Sequence, residues 1–398
     1  MEISTKKVVF LALSVGVMGA LLAAAMFGQA VQQDNVYKYL SVFSEVFSIV
    51  RTNYVDEVSS DELVDGAFAG VTQAVDEFSY YISPEKMPSY RAFLDQTDTI
   101  EAGVVMTKRF GYAFVIGVSP GSSAEKAGIK AGDFIETIDG VDTADLAIWQ
   151  VQVALRGQKD QSRELVVVRG GGTKREEVPL TLTPRDVVPF EERSYGSVGY
   201  LKVPDFDAGT AEKLETKLRA LRADGTRAVI LDLRGNATGL VEESIRSADL
   251  FLAGGTITSV AGRKAEQKVW QADKSTVFDG EVVVLTDAAC AEGAEVLAGA
   301  ISGNERGQVV GLPTYGRAIV QRLIDLPSGG GLFITIGHYT RPDLDPIGQG
   351  GIRPDVLVDR TAWAVTDTKG EEGTERDPIL EKALSILQVQ VEEDKAAA

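Results

Sequence analysis

The side chains best suited to covalent chemistry are scarce in this sequence, which holds a single thiol, Cys290, and a single imidazole, His338. One cysteine permits no internal disulfide and no thiolate cluster for zinc, and one histidine permits no multi-histidine metal site, so neither a metal nor another cofactor is expected. On residue type alone, Cys290 as nucleophile and His338 as base would make a cysteine hydrolase. Against that, a lone cysteine at a strand end is more often packed and inert. His338 lies in a strand-like run, Leu332 to Tyr339, with no chemical signal of its own.

The elements that must position such groups are legible in the apolar pattern. Cys290 follows a buried-type strand, Val282 to Thr286, and precedes a helix from about Glu292 to Ile301. Upstream, the run Val198 to Val203, a helix from Ala208 to Ala223 and the strand Ala228 to Leu233 give the alternation of an α/β core. Between Ile100 and Arg185 lie the short β-type runs Phe114 to Val118, Phe134 to Ile138 and Leu165 to Val168, separated by glycine turns, which predict a small β-rich module. From Asn35 to about Leu94 the spacing is helical, with Val42, Phe43, Val46, Phe47 and Val50 on one face. This reads as a helical cap or dimer element, broken at Ser83-Pro84 and Lys86-Met87-Pro88. A last helix is predicted from Arg376 to Val391, with Ile379, Leu380, Leu384 and Leu387 facing inward.

Lys6 and Lys7 precede an uncharged run from Val8 to Gly28. At about 1.5 Å per residue this run can cross roughly 30 Å of hydrocarbon, and the preceding positive charges place the remainder of the chain outside the cytoplasm. A cleaved signal peptide is the other reading, since Gly28-Gln29-Ala30 offers a cleavage site. With 398 residues, 44% of them hydrophobic, the chain can build two or three cores, while a net charge of -18 argues against a nucleic-acid partner.

The stretch Ser119-Pro120-Gly121-Ser122-Ser123-Ala124-Glu125-Lys126-Ala127-Gly128-Ile129-Lys130-Ala131-Gly132-Asp133, followed by Ile135 and Ile138-Asp139-Gly140, resembles the PDZ pattern of bacterial proteases. It predicts a short helix ended by Gly128, a turn at Gly132 and a hairpin at Asp139-Gly140. A PDZ domain binds a peptide C-terminus as an added strand, with the carboxylate on backbone N–H groups. The matching loop is Glu101-Ala102-Gly103-Val104, where the family commonly has glycine first. A carboxylate at Glu101 is expected to oppose an acidic ligand terminus, so the module reads either as a weakened tail binder or as a structural brace.

From about Tyr54 to Arg360 the chain is similar to the carboxyl-terminal processing (tail-specific) serine peptidases. The anchors are Tyr54-Val55-Asp56, the PDZ pattern, Leu231-Asp232-Leu233-Arg234-Gly235-Asn236 and Ile352-Arg353-Pro354-Asp355, in the family's order. The resemblance places the family's nucleophilic serine at Glu292, within Cys290-Ala291-Glu292-Gly293-Ala294-Glu295. It places the family's lysine base at Arg317, within Thr314-Tyr315-Gly316-Arg317-Ala318, and its positioning glutamine at Gln321. Where the family has a Pro-Gly-Gly oxyanion run, this chain has Gly235, Asn236, Ala237, Thr238 and Gly239, so Thr238 is expected to strain the loop if a positive φ is needed there.

A serine nucleophile needs a neutral amine beside it, and arginine stays protonated. The expectation is therefore a chain lacking the Ser/Lys dyad, proteolytically inactive. Its role would be to bind protein or peptide C-terminal segments, with an active homologous peptidase or a second copy of itself as partner, tethered in a bacterial inner membrane through residues 8–28 with its bulk in the periplasm. Residual or altered hydrolysis, including Glu292 as general base, is the alternative. The fold class is multidomain α/β: a membrane anchor or signal segment at 1–31, a helical cap at 32–97, a β-rich PDZ-like domain at 98–186, a peptidase-like α/β core at 187–368, and a C-terminal helix and tail at 369–398.

Overall fold

The computed structural model describes residues 18, 37–96, 98–169, 174–273, 276–348, 350–358 and 377–388. The expected membrane segment 8–28 lies outside the described residues except for Met18, as do Arg376 and the end of the last predicted helix. Among the described residues no helix is long and apolar enough to cross a membrane. The chain divides into two compact units, Met1–Val71 and Thr72–Ala398.

In the first unit residues 37–53 are helical, and a second helix, Ser60–Gln73, begins there. Its start is set by a reciprocal cap, because Glu62 N–H donates to Ser59 Oγ (3.1 Å) while Ser59 N–H donates to Glu62 Oε2 (3.2 Å). None of residues 37–71 is buried.

The second unit holds three sheets that matter here. The PDZ-type sheet is antiparallel, in the order Val104–Arg109, Tyr112–Val118, Phe134–Ile138, Ser162–Arg169, Lys174–Thr181. The helix Ile148–Ala154 covers its core of Val115, Ile135, Leu165 and Val167. Asp139 and Gly140, with φ of 51° and 80°, make the expected two-residue hairpin between Ile138 and Val141.

The core sheet has five parallel strands, Val198–Lys202, Ala228–Asp232, Glu281–Thr286, Gln308–Gly311 and Val356–Leu357, edged by antiparallel Glu191–Tyr195. Because successive strand residues point to opposite faces, Val229, Leu231, Val282 and Val284 pack with the helices Thr210–Ala223, Val241–Asp249 and Gly293–Gly303. Ala228, Ile230, Val283 and Leu285 pack instead with Pro378–Ile386.

The third sheet corrects the expectation of a purely helical cap over 32–97. Tyr80–Ile82 is a strand paired with Gly331–Phe333 of the long strand Gly331–Thr340, which also pairs with Thr256–Ala261 and Ile319–Asp325. Residues from Thr72 onward thus belong to the larger unit. The short apolar run Tyr80-Tyr81-Ile82, closed by Ser83-Pro84, finds its hydrogen-bond partner in a distant part of the chain, and helical periodicity upstream carried no sign of it.

Candidate active site

The strand Glu281–Thr286 ends in a tight loop held by Asp287, whose Oδ1 accepts from Ala289 N–H (3.0 Å) and Gly235 N–H (3.1 Å). Ala291 N–H then donates to Asn236 O (3.0 Å), and the chain turns into the helix Gly293–Gly303 through Glu292. At φ 51°, ψ -111° Glu292 occupies backbone space that L-residues disfavour, at a cost of about 1–3 kcal/mol. The turn thrusts the side chain of residue 292 away from the loop at the helix N-terminus, the geometry by which an exposed nucleophile is presented at a strand-to-helix turn.

Opposite it stands the segment Thr314–Ala318, and one buried carboxylate joins the two. Glu295, fully buried, accepts from Thr314 Oγ1 (2.6 Å), Gly316 N–H (2.5 Å), Arg317 N–H (2.8 Å) and Glu292 N–H (3.0 Å). Burial pushes its carboxyl up to about 7, against the opposing pull of those four donors. The clip brings positions 292 and 317 together, and the Glu292 carboxylate and Arg317 guanidinium form an ion pair whose side chains are 28% and 20% exposed.

Gln321 does not join that pair. A register shift between Val320 and Gln321 accompanies a different partner, and its amide donates to Phe78 O (3.0 Å). The Arg317 guanidinium lies over the Phe78 ring, 5.8 Å from its centroid, and its Nε is buried without a partner.

The segment 235–239 departs from expectation in one respect. Gly235 and Gly239 take positive φ (78° and 111°) but Thr238 does not, so the substituted glycine introduces no backbone strain there. The demanding position is Gly239, where a Cβ would come within 2.5 Å of the Phe206 backbone. Asn236 is buried and donates to Val203 O (3.1 Å), while its Oδ1 and the Thr238 Oγ1 have no partner.

In the PDZ loop the Glu101 carboxylate is engaged by Arg156 across the short pairing Ile100–Glu101 with Arg156–Gly157. Its charge is therefore offset, which weakens the expectation that it opposes a ligand carboxylate. Ala102 N–H donates to Leu155 O (2.9 Å), and Gly103 (φ 81°) leaves room for Ser122, whose Cβ would lie 2.3 Å from an added Cβ. Glu101, Ala102, Gly103 and Val104 line a cleft of about 60 Å³ with Gln152 of the covering helix and Leu155 just beyond its end.

Cys290 and His338 are not brought into hydrogen-bond contact. Cys290 is fully buried, its thiol donates to Leu233 O (3.0 Å), and burial pushes its pKa well above the ordinary thiol range, so it supplies no thiolate. The His338 Nδ1 is buried without a partner on a strand paired with Ala261 and Ile319.

Sequence reasoning did not single out the contacts that pack the PDZ sheet onto this site. Ile116 packs with Ala237 and Ala291, and a Cβ on Gly117 would meet Ala237 Cβ at 2.5 Å. Arg109 donates to Tyr315 Oη (3.2 Å), and Tyr315 Oη donates to Glu77 Oε1 (2.9 Å). For Glu295 a sequence signal existed, since it sits three residues into a helix, where a carboxylate reaches back to the cap N–H.

Residues 197–358 match peptidase family S41, and residues 114–169 match a PDZ domain. The matched segments are thus a peptidase family S41 domain and a PDZ domain. The chain is 28% identical over 366 residues to the carboxy-terminal-processing protease of Bartonella bacilliformis, covering 89% of this chain and 83% of that one. It is 34% identical over 245 residues to the carboxyl-terminal-processing protease of Synechocystis, a match spanning 60% of this chain and 57% of that relative. Among solved structures, the photosystem II D1 C-terminal processing protease superposes with a TM-score of 0.65 at 24% identity over 78% of this chain and 85% of that one, which speaks to fold.

Proposed function

We propose that this chain is a proteolytically inactive homologue of the carboxyl-terminal processing proteases that binds protein C-terminal segments as a regulator in the cell envelope. The observation that carries this reading is the Glu292–Arg317 ion pair at the positions to which the resemblance assigns nucleophile and base. An arginine does not accept a proton from an attacking hydroxyl. A carboxylate paired with it is a weak base and a poor nucleophile toward an amide. Loss of a serine nucleophile alone costs roughly a millionfold in kcat.

The retained PDZ loop, with Glu101 offset by Arg156, supports peptide-terminus binding. The charge pattern of Lys6, Lys7 and the run 8–28 supports attachment to a bacterial inner membrane with the bulk of the chain in the periplasm. An active homologous peptidase or a second copy are the partners this reading admits. The second copy is favoured by the complete lack of buried residues over 37–71, where Tyr39, Leu40, Phe43 and Val46 stand exposed.

One observation favours residual or altered hydrolysis instead, namely the strained backbone kept at Glu292. Incubating the protein with an unfolded substrate bearing an apolar C-terminus, alongside a fluorophosphonate probe, separates the readings. The proposal expects binding without cleavage or labelling, and turnover would overturn it.

A further inference from the structure

A cavity of about 480 Å³ opens between the PDZ-type sheet and the core, at the carboxyl ends of the parallel strands. The core contributes Lys202, the last residue of Val198–Lys202, Arg234, just past Ala228–Asp232, and Ala289 in the loop after Glu281–Thr286. The PDZ side contributes Val118, Ile129 and Lys130. Open parallel sheets take ligands beyond this end of their strands, and the volume is that of a small-molecule site. Neither Glu292 nor Arg317 lines it, and no residue of the loop Glu101–Val104 does.

Five charged residues line the cavity, and three of them are committed elsewhere. Arg234 is held between Asp232 and Asp377 (2.6 and 2.8 Å). Glu191 is the cross-strand neighbour of Lys202, yet its carboxylate pairs with Arg193. Glu125 accepts from Gly121 N–H (2.7 Å). Lys130 stands in the field of Glu176, but that carboxylate pairs with Arg169 and Lys174. Among the described residues, then, Lys130 and Lys202 are in no ion pair, although the chain holds 58 acidic residues against 40 basic ones and carboxylates are in surplus. We infer that the cavity is a site for a small rigid organic dianion, an apolar body with a carboxylate at each end, one received by Lys130 and the other by Lys202. The charges follow from the two unpaired ammonium groups, since a charge-assisted hydrogen bond is the contact each lacks. The apolar body follows from the walls of Val118 and Ile129, which an inorganic anion would leave wet. Bound there, the ligand ties the PDZ side to the core without using the peptide loop or the Glu292–Arg317 pair.

The test is calorimetric titration of the full chain with terephthalate, which has a carboxylate at each end of one ring, and with benzoate, which has the same ring and one carboxylate. Terephthalate is expected to bind at one site per chain and about tenfold more tightly than benzoate, the worth of one charge-assisted contact. K130Q and K202Q should each weaken terephthalate by about tenfold and bring it to the level of benzoate. Both variants should melt with the parent when free of ligand, because neither lysine is paired. Should K202Q melt lower, K130Q, whose lysine is exposed, decides alone. Absence of saturable binding, equal affinity for the two acids, or terephthalate binding that K130Q leaves unchanged would overturn the site. None of these outcomes bears on whether the chain cleaves peptides, which the substrate and probe assay decides separately.

Discussion

The Glu292 carboxylate and the Arg317 guanidinium close on each other across the gap between the start of the helix Gly293–Gly303 and the segment that enters the strand Ile319–Asp325. Both side chains are mostly screened from water, so each depends on the other. Removing only the carboxylate by Glu292→Ala leaves a guanidinium whose Nε is already buried without a partner. E292A is expected to lower stability by about 1–3 kcal/mol, and E292A/R317A by less than E292A alone. Urea unfolding of the three proteins gives the ranking, and equal midpoints would mean the pair is energetically idle.

Restoring residue types is expected to fall short of restoring proteolysis. Thr238 and Glu101 are not the obstacle, since one takes no positive φ and the other is paired with Arg156. The obstacle is that Gln321 is committed to Phe78 O and the PDZ strand packs at Ala237 and Ala291. In E292S/R317K, fluorophosphonate labelling should be at least about a hundredfold slower than in an active relative, because residues that act as a unit lose their effect together. Labelling at a comparable rate would show the site to be intact apart from two side chains.

Glu295 makes stability depend on pH. Its folded-state pKa of about 7 lies above the ordinary value of 4.5. Between those two values the folded chain holds a proton that the unfolded chain has released, so stability falls as pH rises from about 4.5 through 7. The fall is at most about 3 kcal/mol. E295Q should be less stable at every pH, because its amide N–H2 would face backbone N–H donors where Glu295 has an oxygen, yet flatter across this window. Urea midpoints at pH 5 and pH 7.5 for both proteins decide it, and parallel slopes would remove Glu295 as the cause.

Attachment to the membrane is expected to be stable. After cell fractionation most of the protein should stay in the membrane pellet, with residues 32–398 open to protease from the periplasmic side. Recovery in the soluble periplasm without Met1 to Ala30, read by mass spectrometry, would mean a cleaved leader.

Local signals were enough for some of the strands and turns of this chain. Continuous apolar runs such as Ala228 to Asp232, and turns such as Asp139-Gly140, carry their signal in near neighbours, and the structure realises both. That positions 292 and 317 face each other was also legible, because the resemblance places the family's nucleophile and base there. The partner of Gln321 was decided only in three dimensions. Phe78 O lies 243 residues away in sequence, and the amide that reaches it sits beside a register shift in the strand. The same holds for Tyr80–Ile82, a three-residue strand that exists because Gly331–Phe333 offers its backbone, and for the Arg109–Tyr315 contact across 206 residues. Residue types announce which groups need partners, but when several distant segments could satisfy the same N–H or charge, the packing of the sheets selects which one does.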